Sequence, residues 1–180
     1  MASPERKGPR FEKEADPVET FVELEGPEVG EAAPNFTLES HLGGTVSLAE
    51  FRGKSHVVLF FYPKDDTPEC TKEACSFGSS LKAFERRGAV VLGVSRDSVK
   101  SHAKFAAKFD LTFALLSDPE GEVSREYGVL KRKSLYGRAY LGIDRSTFLI
   151  DKKGKVAAAW RGVKVEGHAD EVLAAIGKLT

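Results

Sequence analysis

Cys70 and Cys75 are the two cysteines of this 180-residue chain, and their surroundings point to chemistry. Thr67 and Pro68 precede them, a pattern that predicts a helix start with an N-cap residue followed by proline at the first helical position. Cys70 would then lie in the first helical turn, where unpaired backbone N–H groups and the helix dipole favour an anion. We therefore interpret Cys70 as a candidate reactive thiolate.

The residues after Thr67 predict one helix with a continuous apolar face. This face comprises Cys70, Ala74, Phe77, Leu81 and Phe84. Cys75 would point about 140° away from Cys70 around the helix, with the two Cα atoms about 8.6 Å apart. A disulfide needs Cα atoms within about 7 Å. A Cys70–Cys75 disulfide would therefore require the helix to unwind.

Less reactive roles for the cysteines are also compatible with the sequence. Both could be ordinary small buried residues. A zinc site has little support, because the spacing is not C-x-x-C and there is no second cysteine pair. The histidines do not lie at ligand spacing; they are His41, His56, His102 and His168. We predict no metal site.

Acidic neighbours oppose ionisation of Cys70, because Asp65, Asp66 and Glu69 carry the same charge as a thiolate. A cation from elsewhere in the chain would offset them. The candidates are Arg125, Arg132, Arg138 and Arg145. Arg145 stands where a loop enters a predicted strand, a common position for a residue presented to a site at a sheet end. A surface pairing of Arg145 with Asp144 is equally compatible with the sequence.

Alternating strand and helix patterns predict an α/β domain with a mixed sheet flanked by helices. An N-terminal hairpin is expected around 35–48, and further strands over 56–62, 89–95, 113–117, 146–150 and 155–160. Helices are expected over 98–109, from the Asp118-Pro119 pair to near Gly128, and from 167 onward. A long connection is expected over 129–144. Residues 1–28 are expected to be a flexible extension, and residues 29–180 the folded domain.

The bulk composition excludes several classes of protein. The 27 basic and 27 acidic residues balance, and no basic block indicates nucleic-acid binding. No apolar run approaches the roughly 20 residues that span a bilayer. The N-terminus lacks the apolar core of a signal peptide and carries several acidic residues. We therefore expect a cytoplasmic protein without nucleic-acid or membrane partners.

The segment from Pro63 to Cys70 fits the P-x-x-x-T-x-x-C signature of peroxiredoxins. The longer runs FFYPKDDTPECTKEAC, DRSTFLIDKKGKV and WRGVKVEGHADEVL resemble the bacterioferritin-comigratory-protein (PrxQ) branch, and the resemblance covers 29–179. It implies a thioredoxin-like fold. It also implies reduction of hydrogen peroxide and organic hydroperoxides at a cysteine, without a metal or bound organic cofactor.

The resemblance assigns a role to each matching residue. Cys70 matches the peroxidatic cysteine, Thr67 the hydroxyl that orients thiolate and peroxide, and Pro63 the residue that shields the site. Arg145 matches the arginine of the strand-entry motif, and Cys75 the resolving cysteine. The spacing would also let the Thr67 oxygen accept the Cys70 N–H as a cap. Glu69 is a departure, since many relatives have glycine there.

The hypothesis is an atypical two-cysteine peroxidase that forms a Cys70–Cys75 disulfide at each turnover. Thioredoxin, or a similar dithiol protein, would reduce this disulfide. An internal resolving cysteine needs no partner subunit, so a monomer is expected. The sequence leaves two alternatives open: a one-cysteine peroxidase in which Cys75 is a bystander, and a redox-regulated thioredoxin-fold binding module without turnover.

Overall fold

Residues 17–179 are described by a computed structural model, so residues 1–16 of the expected extension lie outside the described part of the chain. The strands are β1 (Thr37–Ser40), β2 (Thr45–Ser47), β3 (His56–Phe61), β4 (Ala89–Ser95), β5 (Ala114–Ser117), β6 (Leu130–Leu135), β7 (Arg138–Ile143), β8 (Ser146–Ile150) and β9 (Val156–Arg161). The helices are α1 (Pro17–Thr20), α2 (Pro68–Ser79), α3 (Leu81–Arg86), α4 (Val99–Phe109), α5 (Glu122–Glu126) and α6 (His168–Gly177). None of these helices is long and apolar enough to span a bilayer.

Seven strands form one mixed sheet in the order β2-β1-β5-β4-β3-β8-β9, which confirms the predicted architecture. The central strand β3 pairs parallel with β4 and antiparallel with β8. All six of its residues are buried, as expected for an apolar run covered on both faces. The antiparallel register places Phe61 beside Ser146, so the end of β3 and the start of β8 meet at one edge of the sheet.

The two faces of the sheet carry separate hydrophobic clusters. One contains Cys70, Ala74 and Phe77 of α2 together with residues of α4 and α6. The other contains Val123 and Tyr127 near α5, with Leu130 and Ile143 from the strands that follow. Alternate residues of β3 contribute to each cluster, because successive side chains of a strand point to opposite faces.

The predicted continuous helix is wrong at Ser80, which separates α2 from α3. Gly78, Ser79 and Ser80 are poor helix formers, and the Ser79 hydroxyl donates to the Cys75 carbonyl at 2.9 Å. Leu81, at the start of α3, is only partly buried against the core, whereas Phe84 is fully buried. The helix that carries both cysteines is therefore a separate unit of 12 residues.

Two predictions for the segment after β5 are also wrong. Asp118-Pro119 does not open a helix directly, because a turn intervenes and α5 begins at Glu122. The Asp118 carboxylate instead accepts the backbone N–H of Ser124 at 2.8 Å from beyond that turn. The expected long connection over 129–144 is the hairpin of β6 and β7.

Residues 17–28 contact the hairpin and α5. The Arg132 guanidinium donates to the carbonyls of Val18 and Phe21, and Arg125 Nε donates to the Val22 carbonyl at 2.9 Å. Two of the four arginines that the sequence offered as partners for Cys70 therefore hold the N-terminal segment. The contacts join a part of the expected extension to the folded domain.

Two glycines allow the N-terminal segment to cross the chain closely. Gly26 and Gly128 both have positive φ, and a Cβ added to Gly128 would lie 2.2 Å from the Glu25 carbonyl oxygen. A Cβ on Gly26 would lie 2.1 Å from the Tyr127 carbonyl oxygen. Both positions therefore require glycine for conformation and for space.

Gly128→Ala should lower the free energy of unfolding by more than about 2 kcal/mol, because backbone overlap adds to the strain of positive φ. Gly137→Ala is the matched control, since Gly137 has φ 76° but open space around its Cα. The control should cost only about 1 kcal/mol. Urea unfolding measures both, and equal losses would contradict the close crossing.

Candidate active site

Cys70 lies in the first turn of α2, which follows the fully buried strand β3 after a short loop, and is 1% exposed. Thr67 is the N-cap residue and Pro68 the first helical residue, as the sequence predicts. The expected side-chain cap is wrong, because the Thr67 hydroxyl donates to the Lys64 carbonyl at 2.8 Å. The hydroxyl thus closes the loop before the helix and accepts no hydrogen bond from the first N–H groups of the helix.

Arg145 reaches Cys70 from the adjacent strand. It stands immediately before β8, and its Nη2 donates to Cys70 Sγ at 3.2 Å. Its Nη1 donates to Glu73 Oε1 at 2.8 Å, so the ion-pair partner found among the described residues is Glu73 and not Asp144. The Arg145 carbonyl accepts Val163 N–H at 2.9 Å, which fixes the backbone at this point. The guanidinium is thus held by an ion pair on one side and donates to the sulfur on the other.

Glu73 is a site residue that sequence reasoning missed. It lies one helical turn after Cys70 and is 1% exposed, and its Oε2 has no hydrogen-bond partner among the described residues. Burial raises the pKa of Glu73 to about 7, and the opposing charge of Arg145 only partly offsets this effect. The available signal was the i, i+3 spacing from Cys70, which places a carboxylate beside the apolar face of the helix.

The three acidic neighbours of Cys70 are each engaged elsewhere. Asp66 pairs with Lys108 at 2.8 Å, and Glu69 pairs with Lys72 at 3.3 Å, both at the exposed surface. Asp65 is buried and accepts hydrogen bonds from other side chains. Lysine charges therefore compensate the two exposed carboxylates that the sequence placed against the thiolate.

Cys75 and Pro63 lie at the margins of this arrangement. Cys75 is a free, half-buried thiol further along α2, and burial raises its pKa. Pro63 is exposed in the loop between β3 and α2. The structure thus brings Arg145 and Cys70 together with Glu73, while both cysteines remain free thiols in the folded helix.

One cluster within residues 17–179 has distances suited to a metal ion. Asp65, Asp97 and His102 each offer one ligand atom, and these atoms lie within 4.8 Å of one another. Hydrogen bonds already account for the arrangement: His102 Nδ1 meets Asp65 at 2.7 Å, and Asp97 accepts the Asp65 N–H at 2.8 Å.

A buried cysteine at a helix start, held by an arginine at the edge of a mixed sheet, defines a thiol-based redox enzyme. A model of the AhpC/TSA family matches residues 29–159. A putative peroxiredoxin bcp from Coxiella burnetii is 51% identical over 146 residues, which span 81% of this chain and 96% of the relative.

Solved structures agree with this relationship. A cysteine-to-serine variant of Xylella fastidiosa PrxQ superposes with a TM-score of 0.80 at 40% identity, over 85% of this chain and 97% of that one. Xanthomonas campestris bacterioferritin comigratory protein gives a TM-score of 0.76 at 46% identity, over 80% and 91% of the two chains. These neighbours confirm the predicted thioredoxin-like fold.

The chain therefore belongs to the AhpC/TSA family, as a peroxiredoxin of the Bcp/PrxQ branch, and it is a thiol-dependent peroxidase. The family was correctly predicted from the P-x-x-x-T-x-x-C signature and the longer runs around it. This excludes the alternative of a binding module without turnover.

Glu73→Gln should remove a pH dependence of stability. A carboxyl whose pKa is raised on folding binds more protons in the native state than in the unfolded state between about pH 4.5 and 7. The wild-type free energy of unfolding should therefore fall as pH rises through this window, by at most about 3 kcal/mol. The difference between wild type and Glu73→Gln in urea unfolding at several pH values measures this contribution. A difference that does not change with pH would contradict the raised pKa.

Proposed function

We propose that Cys70 is the peroxidatic cysteine, that it reduces hydrogen peroxide and organic hydroperoxides, and that Cys75 resolves it through an intramolecular disulfide. The observation that carries the proposal is the contact of Arg145 Nη2 with Cys70 Sγ at 3.2 Å in a buried site. The bacterioferritin comigratory protein of Xanthomonas campestris has alkyl peroxide reduction activity, which supports the same substrate class for this chain.

In the first step the Cys70 thiolate attacks one oxygen of the peroxide, so an S–O bond forms and the O–O bond breaks. Cys70 is oxidised to sulfenic acid, and the departing oxygen takes a proton and leaves as water or an alcohol. The guanidinium of Arg145 carries several fixed N–H donors, which stabilise the negative charge that develops on this oxygen. One residue thus favours the nucleophile and assists the leaving group.

Thr67 and Pro63 shape the approach to the sulfur in this proposal. Thr67 stands at the N-cap, with extended backbone dihedrals (φ −100°, ψ 155°) that direct the following N–H groups out of the helix start. Its hydroxyl also has lone pairs that can accept from a bound hydroperoxide. Pro63 is exposed in the loop before α2, and its shielding role is assigned by the family signature alone.

In the second step Cys75 attacks the sulfenic acid, which forms the disulfide and releases water. The helix between the two cysteines must open for this reaction, since the helical geometry separates their Cα atoms by about 8.6 Å. The break at Ser80 and the hydrogen bond from the Ser79 hydroxyl to the Cys75 carbonyl weaken the end of α2. Local opening of such a segment costs only a few kcal/mol.

A dithiol protein completes the cycle by thiol–disulfide exchange. We propose thioredoxin as this reductant, because it attacks a disulfide exposed by an unwound segment without needing a further cofactor. The resolving cysteine lies in the same chain, so a monomer contains all of the proposed groups. Free thiols of this kind persist in the reducing cytoplasm, where we place the enzyme.

Oxidation with one equivalent of peroxide tests the proposed cysteine roles. Wild type should give a Cys70–Cys75 disulfide by mass analysis of the peptides. Cys75→Ser should still consume one equivalent, with Cys70 left as sulfenic acid, and Cys70→Ser should consume none. A wild type that accumulates Cys70 sulfenic acid would establish the one-cysteine mechanism. Unreacted thiols with both kinds of peroxide would exclude Cys70 as the peroxidatic residue.

Arg145→Lys should slow the first oxidation step by about 100-fold, because an ammonium cannot reproduce two directed contacts, one to sulfur and one to Glu73. Arg138→Lys on the exposed strand β7 is the matched control and should stay within about twofold of wild type. Single-turnover kinetics of Cys70 oxidation in a Cys75→Ser background measure both variants. Equal rates for the two variants would contradict the role of Arg145.

A further inference from the structure

A buried polar cluster precedes the active-site helix. Its centre is the Asp65 carboxylate, which accepts the Tyr62 hydroxyl at 2.5 Å and the Ser101 hydroxyl at 2.8 Å. His102 Nδ1 lies 2.7 Å from the same carboxylate, and the Asp65 N–H donates to Asp97 at 2.8 Å. We call these five residues the Asp65 clamp. Tyr62 belongs to the same hydrophobic cluster as Cys70, but no hydrogen bond joins the clamp to Cys70 or Arg145 within residues 17–179.

Both ring nitrogens of His102 are engaged in the clamp region. His102 is fully buried, and its second ring nitrogen, Nε2, lies 2.9 Å from the Leu116 carbonyl. Both ring nitrogens thus lie at hydrogen-bond distance from oxygen atoms, which fixes the imidazole in place. Burial by itself would raise the pKa of Asp65, but hydrogen bonds from His102 and Tyr62 outweigh this effect and lower it. Burial raises the pKa of Tyr62 well above its ordinary value, so the phenol remains a donor.

The clamp fixes the short segment between β3 and α2 onto α4. Asp65 is held by Ser101 and His102, two residues of the first turns of α4. The next residue, Asp66, adopts the left-handed conformation with φ 57° and pairs with Lys108 near the other end of α4. Aspartate tolerates this conformation better than most residues, and the ion pair with Lys108 adds a second link between this segment and α4.

We propose that the Asp65 clamp is a positioning device that keeps the first turn of α2 closed and Cys70 beside Arg145. The inference rests on the proposed two-cysteine mechanism. The clamp secures the N-terminal end of α2, whereas the break at Ser80 leaves the other end weak. The clamp therefore sets how long an oxidised Cys70 remains in the folded site before Cys75 reaches it.

Two reactions then compete for the Cys70 sulfenic acid. Attack by the Cys75 thiol forms the disulfide and releases water, and it requires the helix to open. Reaction with a second hydroperoxide, which is reduced to an alcohol or water, oxidises the sulfenic acid to sulfinic acid. The second reaction takes place in the folded site beside Arg145. A tighter clamp favours the sulfinic acid, and a looser clamp favours the disulfide.

Two tyrosine variants separate this role from general stability. Tyr62→Phe removes the hydroxyl that donates to Asp65, whereas Tyr127→Phe removes a hydroxyl that donates to the Pro34 carbonyl at 2.6 Å in the other cluster. Both tyrosines are fully buried, so both variants lose a hydrogen bond from an otherwise intact ring. Ser101→Ala is a milder clamp variant, since Ser101 is only partly buried.

The measurement is the hydroperoxide concentration at which half of Cys70 becomes sulfinic acid during turnover with a dithiol reductant, followed by mass analysis. Trp160, the single tryptophan, provides a second readout. Its ring contacts His168, whose ring contacts Phe77 of α2, so its fluorescence follows opening of the helix. Tyr62→Phe and Ser101→Ala should raise the half-sulfinic concentration at least about threefold and accelerate the fluorescence change of disulfide formation. For Tyr127→Phe, the half-sulfinic concentration and the rate of the fluorescence change should both stay within about 1.5-fold of wild type.

Equal shifts in all three variants would overturn the proposal, because the effect would then follow stability alone. Unchanged values in both clamp variants would overturn it as well. A wild type that forms no disulfide at all would remove the two-cysteine mechanism and the clamp proposal together. That outcome is visible in the wild-type protein alone and is therefore distinct from a failure of the clamp.

Discussion

The site depends on the guanidinium of Arg145, which donates one hydrogen bond to Cys70 and another to Glu73. One cation faces two potential anions in a buried place, and a thiolate and a carboxylate there together would leave a net negative charge. Burial raises the pKa of Glu73 to about 7, and the charge and hydrogen bond of Arg145 only partly offset this effect. A proton on Glu73 leaves the Arg145 charge for the sulfur, so the carboxyl group balances the charge of the site and does not oppose the thiolate.

The pairing of strands in the sheet brings Arg145 close to α2. β3 and β8 run antiparallel with Phe61 beside Ser146, so the residue before β8 and the helix after β3 share one edge of the sheet. Arg145 therefore reaches α2 from a strand distant in sequence but adjacent in space. Its backbone is fixed in turn by the hydrogen bond from Val163, just after β9. The precision of the contact comes from this pairing, since a long side chain on a free loop would lose more conformational entropy on binding the sulfur.

The sequence predicted those features that depend on neighbouring residues. The apolar run of β3, the N-cap at Thr67 and the first-turn position of Cys70 follow from local pattern, and so does the family. Features that depend on distant partners were missed or wrong. His102 lies 37 residues after Asp65, so the carboxylate looked like a neighbour that opposes the thiolate and not like part of a buried network. The Thr67 hydroxyl donates to a carbonyl and does not accept the expected N–H, a choice between two local partners that spacing alone does not decide.

The two ends of α2 are built differently, and the difference suits the two demands of the proposed cycle. Attack on peroxide requires a closed first turn, because Cys70 must remain at hydrogen-bond distance from Arg145. Disulfide formation requires the turns between Cys70 and Cys75 to open. A helix rigid along its whole length would serve only the first demand, and a helix weak throughout would lose the contact with Arg145. The hydrogen-bonded Asp65 clamp before the N-terminus and a run of glycine and serines at the C-terminus place stability and weakness at opposite ends. Opening can then begin near Cys75 while the sulfur of Cys70 is still held at the site of its oxidation.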